Sequence, residues 1–136
     1  MKFTRNWMIA VGIFYLSSVL QLWPSLFGPM LPTMYPGVEL YQSEPVFQLL
    51  TDAWLAVGVL LTAVGVVFVW GAREPAKNLI LIPIAISCEV FVGLWDIYSI
   101  TLSYQLPIVA AFTMTIHTVI IVTGIMAWKA AHKVGA

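Results

Sequence analysis

The chain has 136 residues, of which 61% are hydrophobic and 9% are charged, and its formal net charge is zero. Soluble domains carry about 25% charged residues, so this composition excludes a water-soluble globular domain, and the neutral charge gives no basic surface for nucleic acid. The one cysteine, Cys88, excludes an intramolecular disulfide and a thiol-relay mechanism. The length predicts a single integral membrane domain over residues 1–136.

Four apolar segments follow one another along the chain, at about residues 7–23, 49–70, 79–103 and 107–128. Each has 17 or more residues, which is long enough for a helix to cross a membrane. A span must satisfy its own backbone hydrogen bonds, so each segment is predicted to be helical. The fold class is therefore all-α, a four-transmembrane-helix antiparallel bundle. No A-x-A-type cleavage site follows the first segment, which predicts that it is retained rather than removed as a signal peptide.

The basic residues predict the orientation of this bundle. All six fall on one side of a four-span topology: Lys2, Arg5, Arg73, Lys77, Lys129 and Lys133. The positive-inside rule then places both termini in the cytoplasm. Four tryptophans at the segment ends are interpreted as an aromatic belt: Trp7, Trp23, Trp70 and Trp128.

The connection over residues 24–48 is long and contains five prolines, which excludes one continuous helix. Many of its other residues are apolar, so it is not a polar linker. Long loops in compact domains are often lids or binding loops. Two interpretations stay open: a structured extracytoplasmic cap over the outer helix ends, or a loop that lies among the lipid headgroups.

Short connections predict that the second, third and fourth helices are antiparallel neighbours in chain order. Pro75 suits the first turn of the third helix, and Pro107 can open the fourth. Pro83 is expected to bend the third helix unless that helix begins near it.

Two acids in the third segment are the feature that packing explains least. Only Glu89 and Asp96 are charged in residues 79–103, and their seven-residue spacing puts both on one helix face. A charge near the bilayer centre costs roughly 2.5–3.5 kcal/mol on insertion scales, and such residues usually face the bundle interior and mark a site.

Counting along the helices pairs Glu89 with His117. Each lies ten residues into its segment, which is ~15 Å at the standard rise, so both should sit near the midplane on adjacent helices. An ion pair and a neutral hydrogen-bonded pair are both open. Asp96 should lie ~10 Å outward of Glu89, which is too far for one ion to bind both, so no metal site is predicted.

These residues are interpreted as an interior polar lane that leads to the outer surface near Asp52 and Gln21. The predicted ligand-binding residues are Glu89, His117, Asp96, Thr113 and Asp52. Asp52 has the alternative of a solvated acid at a helix N-terminus. The small residues Gly58, Thr62 and Gly65 of the second segment favour close helix packing over ligand binding.

The layout as a whole resembles a known family. It combines basic Lys2 and Arg5, four helices, the loop Gly-Ala-Arg-Glu-Pro at residues 71–75 and an acid-bearing third helix. In these features the chain resembles the BphX-like family of bacterial membrane proteins and, more distantly, the DoxX group of four-helix membrane proteins. BphX-like proteins are named for an association with biphenyl and related aromatic degradation genes, and DoxX relatives are linked to quinone and redox chemistry. The resemblance implies a bacterial inner (plasma) membrane protein and supplies no catalytic residue or cofactor.

Three functions are compatible with these features. The preferred hypothesis is that the protein binds or processes a small hydrophobic molecule (quinone, aromatic or lipid-like) within the bilayer-embedded bundle. The first alternative is a non-enzymatic accessory or scaffold subunit of a homo-oligomer or membrane complex, with the Gly and Thr face of the second helix as its interface. The second alternative is a proton-coupled transporter. The sequence does not decide whether the protein is an enzyme.

Overall fold

The computed structural model describes residues 1–36, 44–102 and 105–133, and within these ranges the chain is helical and contains no strand. In chain order the helices are α1 (Lys2–Leu16), α2 (Pro24–Phe27), α3 (Leu31–Met34), α4 (Pro45–Gly71), α5 (Leu81–Leu102) and α6 (Pro107–Lys133). A 3₁₀ helix, Ser17–Leu22, extends α1, and another, Gly28–Met30, joins α2 to α3. The predicted all-α class is confirmed. Residues 37–43 of the long connection and the predicted end of the third segment at Ser103 lie outside the described residues.

Three helices, α4, α5 and α6, are long and apolar enough to cross a membrane. The N-terminal stretch Lys2–Leu22 meets the same criterion together with Pro24–Met34, and these two parts are bent by 90°. Length and composition therefore give three spans, or four if the bent pair forms one span.

The bend lies at Trp23, the residue before Pro24. Proline disfavours helical backbone in the residue that precedes it, and Trp23 has φ −112° and ψ 87°, outside the helical region. Pro24 itself opens α2, where its missing N–H leaves no partner unsatisfied. The prediction that residues 24–48 do not form one continuous helix is confirmed for the described residues.

The other prolines correct the predicted helix boundaries. Helix α5 begins at Leu81, so Pro83 lies in its first turn and breaks no helical hydrogen bond. The prediction that Pro75 opens this helix is wrong, because Pro75 lies in the loop between α4 and α5. The Asn78 side chain holds that loop by donating to the carbonyls of Gly71 (3.1 Å) and Glu74 (2.9 Å). Pro107 opens α6 as predicted.

Glycine allows α1 to pack very closely against α4. A Cβ built on Gly65 would lie 2.6 Å from the backbone nitrogen of Leu16, and one on Gly58 would lie 2.7 Å from Cβ of Gln21. Leu16 lies opposite Gly65 and Gln21 lies opposite Gly58, so the residue number rises along one helix as it falls along the other, and the two helices run antiparallel. The predicted packing role of Gly58 and Gly65 is confirmed, and α1 covers this face of α4.

Gly65→Ala is expected to lower the free energy of unfolding by about 1–3 kcal/mol, because the new methyl group meets the backbone of α1. The matched control is Gly93→Ala on α5, where a Cβ has nothing within 4 Å. That control should be neutral or slightly stabilising, since alanine is the better helix former. Unfolding in mixed micelles measures both variants, and equal effects would contradict the close packing.

Helix α1 also packs antiparallel against α6. Thr4 Oγ1 donates to the carbonyl of Ala127 (3.3 Å), and Trp7 Nε1 donates to Thr123 Oγ1 (2.9 Å). The belt prediction is therefore wrong for Trp7, which is only 6% exposed. The cause is that α1 begins at Lys2, which moves Trp7 into its second turn, on the face that packs against α6. Trp23 and Trp70 are 68% and 66% exposed.

Candidate functional site

Five polar side chains from three helices meet inside the bundle. Glu89 and Asp96 come from α5, His117 and Thr113 from α6, and Tyr15 from α1. Glu89 is 2% exposed, Asp96 4% and His117 8%. We call these five residues the polar cluster.

The sequence places the cluster by helical periodicity. On α5 the buried residues Ile82, Ala85, Glu89, Asp96 and Ser99 recur at spacings of three, four and seven, which is one face of a helix. On α6 the same face carries Ala110, His117 and Gly124. The small residues on either side bring the two backbones together, so the acids of α5 reach the imidazole of α6.

Glu89 is the centre of the cluster because both of its oxygens are used. His117 Nδ1 lies 2.5 Å from Glu89 Oε2, and the Tyr15 hydroxyl donates to Glu89 Oε1. The imidazole donates if Glu89 is ionised and accepts if Glu89 is protonated, and the same contact serves either state. The predicted pairing of Glu89 with His117 is confirmed as a contact.

Asp96 lies on the other side of the imidazole. Its Oδ2 is 3.3 Å from His117 Nε2 and accepts a 2.6 Å hydrogen bond from the Thr113 hydroxyl. Nε2 itself makes no well-formed hydrogen bond to any described residue. One imidazole therefore lies between the two acids and contacts both of them.

Tyr15 was not predicted as a member of this cluster. Gln21 is the one residue of the first segment that the predicted lane includes, yet the 2% exposed phenol of Tyr15 bonds to Glu89. Its signal in the sequence is a tyrosine in the middle of an apolar span, because a buried phenol needs a hydrogen-bond partner.

Asp52 stands apart from the other predicted site residues. It is exposed on the second turn of α4 and does not line the cavity described next. The structure brings Glu89, His117, Asp96 and Thr113 together and leaves Asp52 outside the cluster. A role in ligand binding stays a prediction for all five residues.

A cavity of about 660 Å³ lies beside the polar cluster. Its walls come from the 3₁₀ extension of α1, from the end of α3, and from α4, α5 and α6. They are formed by Gln21, Met34, Tyr35, Leu50, Ala53, Trp54, Val57, Leu61, Phe91, Val92, Trp95, Asp96, Gln105, Val109, Thr113 and His117. Helices α4 and α5 meet near their connecting loop, where Gly71 lies against Leu81, and the cavity separates them at the other end.

The segment of residues 24–35 crosses this end of the molecule. The rings of Phe27 and Trp54 lie 5.6 Å apart, and Leu106 N donates to the Met34 carbonyl (2.8 Å), so the segment contacts both α4 and the start of α6. Leu31 is fully buried, and Tyr35 is 8% exposed and lines the cavity. In the described residues the segment is therefore packed helical structure beside the cavity.

Gln105 is a buried polar residue of the cavity wall with a side-chain oxygen that is unpaired in the described part of the chain. It is 6% exposed, and its Oε1 has no hydrogen-bond partner among the described residues. An unpaired buried polar atom costs about 1–3 kcal/mol. The cavity wall thus holds unused hydrogen-bonding capacity at Gln105 as well as at His117 Nε2.

A second, smaller groove of about 290 Å³ lies between α1 and α6, and it differs from the larger cavity in the hydrogen bonding of its polar groups. It is lined by apolar residues and by Thr115 and Thr123. Both hydroxyls bond to carbonyls of their own helix, at 2.8 Å and 2.6 Å. Its polar groups are satisfied, so the larger cavity is the better candidate for a ligand site.

The cluster does not form a metal centre. Among the described residues, no group of three or more His, Cys, Asp or Glu side chains has an arrangement that could hold an ion. The geometry instead supports hydrogen bonding and charge pairing toward the cavity.

Comparison with known proteins gives one family. The model of the family described as BphX-like matches residues 1–133. Two relatives, from Burkholderia cepacia and from Paraburkholderia xenovorans (strain LB400), are each 42% identical over 130 residues, which cover 96% of this chain and 94% of each relative. Both relatives carry the name uncharacterized BphX-like protein. No solved structure matches the chain.

Proposed function

The chain belongs to the BphX-like family, and from this premise we propose that it is a bacterial inner-membrane protein that binds a small hydrophobic molecule beside its polar cluster. The observation that supports this function best is the cavity of about 660 Å³, whose mostly apolar wall contains the buried side chains of Asp96, His117 and Gln105. Ligand pockets in proteins are typically apolar with a few convergent polar groups.

The proposed topology has four antiparallel spans in one membrane domain, with Lys2–Leu22 as the first. The contacts of α1 with α4 and α6 support it, because they put the start of α1 beside the ends of the other two. All six basic residues then lie at that end of the molecule. By the positive-inside rule that end is cytoplasmic, both termini included, and the 24–35 segment covers the cavity from the extracytoplasmic side.

The wall indicates how a ligand would be held. Leucine, valine and aromatic side chains from α4 and α5 would enclose its body, and burial of apolar surface would supply most of the affinity. Its polar end would face Asp96, Thr113 and Gln105. Glu89 lies behind His117 and is not part of the wall, so its proposed role is to hold the imidazole in position.

The alternative of an accessory subunit used the Gly and Thr face of the second helix as its interface, and α1 covers this face. Gly58 and Gly65 lie against α1 within the same chain, so they are not free to receive a partner helix. No contact among the described residues specifically supports the alternative of a proton-coupled transporter. The cavity therefore favours ligand binding over both.

Filling the cavity tests the proposal. In Ala53→Phe a phenyl ring would enter the cavity, because Ala53 lines it on α4. The matched control is Ala56→Phe, at an exposed position of the same helix that is not part of the wall. Mass spectrometry of small molecules that co-purify in mild detergent should find a hydrophobic compound with the wild type and Ala56→Phe, reduced at least about tenfold in Ala53→Phe.

Two results would contradict ligand binding in the cavity. One is the same compound in equal amount from all three proteins, which places it elsewhere on the surface. The other is only bulk phospholipid from all three proteins. Elution volume on size exclusion confirms that both variants fold.

A further inference from the structure

Charge is divided unevenly between the two ends of the molecule. Residues 6–72 and 78–128 contain no lysine or arginine, yet they hold five of the six acids: Glu39, Glu44, Asp52, Glu89 and Asp96. Among the described residues that line the cavity, Asp96 is the one acid, and none is a lysine or an arginine.

The polar cluster shows the same imbalance at short range. Glu89 and Asp96 both face the single imidazole of His117, which supplies at most one positive charge. With all three groups ionised the net charge is −1, and each of these three residues is at most 8% exposed. The other titratable group in contact, Tyr15, adds no positive charge. Because charges inside a membrane pair with opposite charges or are neutralised, the cluster has room for one more positive charge.

The cavity wall adds a second, independent observation. Four aromatic residues line it together with Asp96: Tyr35, Trp54, Phe91 and Trp95. Aromatic faces attract cations through the ring quadrupole, and sets of aromatic residues beside a carboxylate are a common way to bind ammonium groups.

We propose that the ligand of this cavity is an organic cation, an aromatic or alicyclic molecule with a protonated amine, whose ammonium group lies against Asp96 within the aromatic wall. This inference rests on the proposed function and specifies its ligand class. The bound amine supplies the positive charge that the cluster lacks, and the apolar body of the ligand fills the remainder of the cavity.

Three probes that share one ring system test the class: 2-(1-naphthyl)ethylamine, 2-(1-naphthyl)ethanol and 1-naphthylacetate. Their binding is measured by equilibrium dialysis at pH 7 against the full chain in nanodiscs of neutral phosphatidylcholine. Empty nanodiscs give the partition of each probe into lipid. We expect the amine to bind about tenfold tighter than the alcohol and the carboxylate to bind weakest, from the added charge and cation–π attraction.

Asp96→Asn keeps the shape of the side chain and removes its charge. In this variant the amine and the alcohol should bind within about threefold of each other, because the ammonium loses its partner. The matched control is Glu44→Gln, which removes an exposed acid outside the cavity wall and should keep the preference for the amine. If Asp96→Asn does not fold, Trp54→Leu replaces it and should reduce amine affinity more than alcohol affinity.

The outcomes distinguish failure of the organic-cation inference from failure of the proposed hydrophobic binding site. Saturable binding of the alcohol as tight as that of the amine overturns the cation inference and leaves the hydrophobic site standing. Loss of the preference in Glu44→Gln as in Asp96→Asn also overturns it, because the preference would then come from the overall negative charge of the protein and not from Asp96. No saturable binding of any probe, together with no compound lost in Ala53→Phe, removes the proposed function as well.

Discussion

Replacing Glu89 with alanine is expected to lower the free energy of unfolding by about 2–5 kcal/mol. The side chain is 2% exposed and accepts from the Tyr15 hydroxyl on α1 while contacting His117 on α6. Its removal leaves two buried polar groups without partners and opens a gap where three helices meet. Unfolding in mixed micelles of mild detergent and dodecyl sulfate measures the loss.

Glu74→Ala is the matched control for this substitution. Glu74 pairs with Lys77 in the loop between α4 and α5, where both side chains are exposed. Exposed pairs contribute about 0–1 kcal/mol, so this variant should unfold almost as the wild type does. Equal stabilities for Glu74→Ala and Glu89→Ala would contradict the conclusion that the contacts of Glu89 stabilise the packing of α1, α5 and α6.

Depth along a helix is the property that the sequence predicted well. Glu89 and His117 lie equally far into their segments, and a constant rise per residue is enough to place them opposite each other on antiparallel helices. The close packing at Gly58 and Gly65 followed from residue size in the same way. Both predictions needed only the helical repeat and the order of the segments.

Two properties were harder to predict: which side of a helix faces the bundle, and the residue at which each helix begins. Tyr15 and Trp7 are aromatic residues in an apolar segment, and the sequence alone does not distinguish one that faces lipid from one that faces a partner. Trp7 is buried because α1 begins five residues before the predicted segment, and Tyr15 bonds to a carboxylate on a distant helix. Such partners are set by the packing of α1 against α6, which no local pattern encodes.

The cavity was also beyond the sequence, although its polar residues were predicted. It exists because α4 and α5 separate at one end and because the chain turns by 90° at Trp23. Five prolines predicted that the connection is broken but not the direction in which it leaves α1. Asp52 illustrates the consequence, since its depth agrees with the predicted lane while its exposed side chain lies outside the cavity wall.

His117→Ala is the second substitution with a large expected effect, a loss of about 3–5 kcal/mol in the free energy of unfolding. The imidazole bridges Glu89 and Asp96, so its removal leaves two acids buried together with no positive group among the described residues near them. His132→Ala is the matched control. His132 is exposed on the last turn of α6, and its Nδ1 lies 2.9 Å from the Trp128 carbonyl, so the loss there should stay below about 1 kcal/mol.

A double-mutant cycle then shows whether His117 acts through its partners. In the Glu89→Ala background, His117→Ala should cost less than in the wild type by about 0.5–3 kcal/mol, because the first substitution has already removed the main contact. Fully additive losses would mean that each side chain stabilises the bundle separately, by filling space. Coupled losses would make Glu89 and His117 one unit, in which Glu89 fixes the imidazole that faces Asp96. Asp96 is then contacted from two sides, by that imidazole and by the Thr113 hydroxyl, and keeps one orientation toward the cavity.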